Sequence, residues 1–93
     1  MSDREQDGAE TSFEFPCRFP IKVFGPAVPE FRGRVLALIR EHAATVDDDA
    51  VRENLSRGGR YLSLTVTIEA TDRAQLDAIY RALTACELVT MAL

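Results

Sequence analysis

The sequence has no tryptophan, one histidine, two cysteines and no excess of positive charge. Each shortage removes a class of function. With only His42 there is no histidine cluster to bind a metal, and neither Cys17 nor Cys86 has the close spacing of a zinc site. Two cysteines cannot build a disulfide framework, so both are expected as free thiols in a cytoplasmic protein. The longest uninterrupted apolar run, Val35 to Ile39, falls far short of the ~20 residues a membrane-spanning helix needs. The net charge is −4, of which residues 1–12 hold −3 (Asp3, Glu5, Asp7 and Glu10 against Arg4), leaving −1 for residues 13–93. A nucleic-acid or anionic-membrane surface needs clustered positive charge, and the near-neutral balance argues against both partners.

What is present is a pattern of short elements. Tyr61 to Ala70 alternates cleanly, with Leu62, Leu64, Val66 and Ile68 on one side of an extended chain and Ser63, Thr65, Thr67 and Glu69 on the other. That is a strand with one face in a core and the other open. Residues 1–12 lack hydrophobic periodicity and are expected as a flexible acidic tail, with order beginning near Phe13 and a single domain over 13–93. Phe13 to Pro16 reads as an extended lead-in and Phe19 to Gly25 as a first strand, with Ile21 and Val23 on one face and Lys22 and Phe24 on the other.

Pro29 suits the first turn of a helix, which is predicted to run to Ala43 with Phe31, Val35, Leu38, Ile39 and His42 as its apolar stripe. Asp47, Asp48 and Asp49 fall in a loop without the spacing of a calcium site. Ala50 to Leu55 reads as a second strand, joined to Tyr61 through the glycines of a hairpin turn at Ser56-Arg57-Gly58-Gly59-Arg60. Asp72, with Gln75 three residues on, marks the cap of a second helix whose stripe is Leu76, Ile79, Tyr80 and Leu83. Glu87 to Leu93 is expected as a last strand, with Leu88 and Thr90 on the open face. Strand, helix, strand, strand, helix, strand in one short chain predicts an α+β, ferredoxin-like βαββαβ sandwich. Its sheet is four-stranded and antiparallel, with the first and third strands central and both helices on one face.

No nucleophile and base are brought together by these patterns, so no catalytic residue is assigned and no cofactor is expected. The loop Gly25, Pro26, Ala27, Val28 and Pro29 joins a central strand to a helix N-terminus, where unpaired N–H groups can take a small anionic or carbonyl ligand. If a ligand binds there, a bulky residue at Gly25 is expected to weaken binding without unfolding the chain. Arg57-Gly58-Gly59-Arg60 could hold an anion but is explained fully as a turn. The open sheet face, with Lys22, Phe24, Thr65, Thr67 and Leu88, is a candidate interface, for a homodimer built through this face or through an edge strand; the alternative is a monomer whose Phe13 to Pro16 segment folds back over it. An RNA-recognition domain shares this topology, but stacking aromatics are missing from Ser63, Thr65 and Thr67.

Four blocks in order, FEFPCRFPIKVFGPAVPEF, REHA, SRGGRYLSLTVTIEAT and ELVTMAL, resemble the YbeD-type family of small uncharacterised bacterial proteins. The resemblance implies a ferredoxin-like fold similar to ACT domains, a regulatory or interaction role with a small ligand or partner enzyme, and a link to lipoate metabolism. It implies no enzyme activity. ACT loops commonly carry aspartate or asparagine after the glycine of the first strand-helix turn, where this chain has Pro26 and Ala27.

Overall fold

A computed structural model describes residues 14–44 and 46–93, so the expectations for residues 1–12 and Phe13 lie outside the described residues. The elements run in order β1 (Cys17–Pro26), α1 (Pro29–Arg40), a single 3-10 turn (Asp48–Ala50), β2 (Val51–Leu55), β3 (Tyr61–Ala70), α2 (Arg73–Ala85) and β4 (Met91–Ala92). The strands form one sheet in the order β2-β3-β1-β4, and every pairing is antiparallel. This is the ferredoxin-like arrangement that the order of patterns predicts.

Alternation along the two central strands decides the layers. Ile21 and Val23 of β1 and Leu64 and Val66 of β3 are fully buried, and β1 and β3 pair over all ten residues of each. Both helices pack on this side, through Phe31, Val35, Leu36 and Ile39 of α1 and Leu76, Ile79 and Leu83 of α2. Each fully buried aliphatic or aromatic side chain contributes roughly 1.5–3 kcal/mol. The core is therefore a single layer between sheet and helices.

Helix α1 departs from its predicted stripe. It ends at Arg40, His42 is exposed, and the core is continued by Ala43 and Val46, both 5% exposed. After Arg40 the chain tightens, with His42 and Ala43 N–H both donating to the Ile39 carbonyl, and this turn carries Ala43 under the core in place of His42. Arg40 holds the following loop by donating from Nε and Nη2 to the Val46 carbonyl at 3.1 and 2.9 Å.

Helix α2 begins as its sequence indicates. Asp72 Oδ1 accepts from the Gln75 N–H at 2.8 Å, satisfying one of the unpaired donors of the first turn. The Gln75 side chain reaches back to the Thr71 N–H at 2.7 Å, and its amide donates to the His42 carbonyl at 2.8 Å. One residue thus ties the start of α2 to the end of α1.

The last strand is shorter than predicted and of opposite parity. Only Met91 and Ala92 form β4; Met91 lies opposite Phe24 and Ala92 opposite Val23, while Leu93 exchanges backbone hydrogen bonds with Lys22. Leu88 precedes the strand and packs against the core, so the open face receives Met91 and Leu93 instead of Leu88 and Thr90.

Candidate functional site

The expected ligand loop is taken up by the fold. Gly25 is buried at the end of β1, and a Cβ placed there would run into the Phe31 ring and the Leu88 carbonyl. The glycine is required by close packing, which corrects the expectation that a bulky residue would leave the fold intact. Ala27 N–H donates to the Arg60 carbonyl and Val28 N–H to the Pro26 carbonyl, each at 2.9 Å. Pro26 and Pro29 have no N–H to offer. The capping residue of α1, Val28, has no side-chain hydrogen bond.

The hairpin turn is likewise self-contained. Ser56 N–H donates to the Tyr61 carbonyl, Gly59 N–H to the Ser56 carbonyl, and the Ser56 hydroxyl accepts from the Tyr61 N–H at 3.0 Å. Gly59 has φ of +74°, a left-handed conformation that favours glycine, so turn geometry accounts for it.

The open side of the sheet is different. Its rows follow from the register: Met91, Phe24, Ser63 and Asn54 lie across one row, and Leu93, Lys22, Thr65 and Arg52 across the next. Pro20 faces Thr67 in the third, and Arg18 faces Glu69 in the fourth. Among the described residues no helix covers these side chains. Met91 is 48% exposed and Tyr61 56%, so one end presents apolar and aromatic surface, which Leu93, 60% exposed, extends into the row of Lys22. The other end presents Arg18, Lys22 and Arg52, all exposed and none with an ion-pair partner among the described residues. By contrast Arg32 and Arg40 on the helix side are engaged: Arg32 meets Glu53 at 2.8 Å, and both lie 3.7 Å from Asp48.

Thus the near-neutral balance of residues 13–93 hides a division. Three cations against Glu69 stand on the open face, while Arg32, Arg34, Arg40, Arg73 and Arg81 of the helices lie among the acidic residues Glu30, Asp48, Glu53, Asp72 and Asp77. The sum over the sequence could not show this, but strand parity could: Lys22 and Arg52 fall on the polar phase of their strands. The expected interface residues Lys22, Phe24, Thr65 and Thr67 share this face, and Leu88 does not.

Chemistry of other kinds finds little to use. Cys17 and Cys86 are free thiols, each half-buried. Burial pushes the Tyr80 hydroxyl above its ordinary range, but Tyr80 packs on the core side of α2. Among the described residues no group of three His, Cys, Asp or Glu could hold a metal ion, and no helix is long and apolar enough to cross a membrane.

Comparison with known proteins matches residues 10–93 to a family described as "Protein of unknown function (DUF493)". The chain is 48% identical over 84 residues to a UPF0250 protein of Paraburkholderia phytofirmans, covering 90% of this chain and 94% of that one. It is 45% identical over 84 residues to a UPF0250 protein of Nitrosomonas europaea, covering 90% and 97%. A UPF0250 protein of Chromobacterium violaceum is 44% identical over 93 residues, the full length of both chains.

Proposed function

The chain belongs to the DUF493 family of bacterial proteins, and from that premise we propose that it is a non-catalytic interaction module holding a partner protein on the uncovered face of its sheet. The observation that carries this reading is the grouping on one face of apolar side chains, half-buried Phe24 with exposed Met91 and Leu93, and of cations without an ion-pair partner among the described residues, Lys22 with Arg52. Interfaces of this kind combine an apolar centre with charged groups that orient the partner. A small-ligand site at Gly25, Pro26, Ala27, Val28 and Pro29 is the less supported form of a regulatory role, because the fold itself uses the Ala27 and Val28 donors.

A second reading, single-stranded RNA, is favoured by Phe24 and Tyr61 beside the same cations. It is opposed by Ser63, Thr65 and Thr67, which fill the central rows where bases would stack.

The test compares three immobilised full-length chains in native extract of the source cells: wild type, Phe24→Ser/Met91→Ser, and the helix-side control Arg34→Ala/Asp77→Ala. A protein retained by wild type and control but lost from the face variant is the expected result. Equal retention by all three, or loss only from the control, contradicts the reading. Sedimentation of the same three chains over a concentration series shows whether the partner is a second copy.

A further inference from the structure

Resting on the sheet-face reading above, we propose that Arg18, Arg52, Thr65 and Thr67 form a pocket that receives a carboxylate from an acidic side chain of the partner protein. A cavity of about 160 Å³ is lined by these four residues with Asp49 and Ala50. Its construction follows from the register. β3 runs between β1 and β2, so Thr65 and Thr67 form the floor while Arg52 reaches in from one neighbouring strand and Arg18 from the other.

The donors are unspent. Neither guanidinium has an ion-pair partner among the described residues, and neither threonine hydroxyl has a hydrogen-bond partner there. Guanidinium groups bind carboxylates through two parallel N–H bonds, and the hydroxyls can each donate one more. Asp49 on the rim reduces the local charge from +2 to +1, which suits one carboxylate better than a doubly charged phosphate. An adjoining cavity of about 300 Å³ shares Arg18, Asp49 and Thr67 with this pocket and adds Asp47 and Glu69 in place of Arg52. The added carboxylates and the missing second guanidinium there favour the Arg52 side for an anion.

The apolar end completes the recognition. Phe24 and Met91 lie two to four residues along the strand from the rows of Thr65 and Thr67, roughly 10 Å at the usual rise of a strand. The partner segment therefore presents an apolar residue and an acidic residue two or four extended positions apart, the spacings that turn both side chains to the same face.

The test is a nuclear magnetic resonance titration of the full-length chain with two peptides, one carrying leucine and glutamate four residues apart and the other with glutamine replacing the glutamate. Saturable shifts at Thr65 and Thr67 are expected with the glutamate peptide. The glutamine peptide should bind ~10-fold more weakly, as expected for losing a charge-assisted contact. Arg18→Gln/Arg52→Gln, both exposed positions, should retain a dispersed spectrum and bind the two peptides alike. Equal binding of both peptides by wild type, or no binding of either, overturns the pocket; equal binding with shifts at Phe24 and Met91 leaves the sheet-face reading intact. Shifts confined to α1 and α2 overturn both. A stronger response to an oligouridylate than to the glutamate peptide, at physiological salt, also overturns the carboxylate assignment.

Discussion

The two faces of the sheet are built from alternate residues of the same strands, yet they obey different constraints. On the helix side, Ile21, Val23, Leu64, Val66 and Ile68 are at most 1% exposed and their identities are set by packing. On the open side, Lys22, Phe24, Thr65 and Thr67 meet no covering layer among the described residues, and the pairing of strands places no demand there for a pair of arginines or a phenylalanine beside a methionine. The difference teaches where to look for function. Side chains that stability does not require, set on a rigid two-strand base, are the ones available for binding.

The comparison breaks most readily at Gly25. Gly25→Val should destabilise by about 3 kcal/mol or more, because neither the Phe31 ring nor the Leu88 backbone can retreat without opening the core. Chemical denaturation would check this, and a fully stable Gly25→Val chain would refute the packing described. Phe31→Ala, which empties the largest fully buried side chain, is expected to cost about 3–5 kcal/mol by the same measurement.

Smaller effects sharpen the contrast. Asp72→Ala removes the cap of α2 and should cost about 1 kcal/mol, seen as a lower denaturation midpoint with unchanged slope. Gly33→Ala lies on the exposed side of α1, where an added Cβ meets nothing within 4 Å, and should stabilise by roughly 0.5–1 kcal/mol. Thr65→Ala on the open face should change stability by less than about 0.5 kcal/mol while weakening partner binding. That last result separates the two faces cleanly: stability unmoved, association reduced.

Much of this fold is legible in the sequence because its signals are local. The alternation of Tyr61 to Ala70 marks β3, and Asp72 with Gln75 marks the start of α2. The hairpin-turn glycine at Gly59 is equally local, since only backbone conformation is at issue. The signals that fail are those that need a neighbour. In Glu87 to Leu93 both parities are apolar, so periodicity alone does not say that Met91 rather than Leu88 shares a face with Phe24; the backbone bonds to Lys22 decide it. In α1, Leu36 and Leu38 flank the same stripe, and only the position of α2 and the sheet buries Leu36 the more deeply. Gly25 looks like the glycine of a ligand loop until Phe31 and Leu88 are placed over it. The positive open face was within reach, by following Lys22 and Arg52 strand by strand instead of summing the charge of the chain. Arg18 was harder, because the first strand begins two residues earlier than its pattern indicates.

The central claim is that the uncovered sheet face is the working surface, and the most direct measurement is site-specific photo-crosslinking in living cells. A photoreactive phenylalanine derivative replaces Phe24 or Met91 on the open face and, separately, Arg34 or Asp77 on the helix side. A discrete adduct from positions 24 and 91 that is absent from positions 34 and 77 is the predicted result. Adducts from the helix-side positions alone, or none from the sheet face in a folded chain, would contradict it.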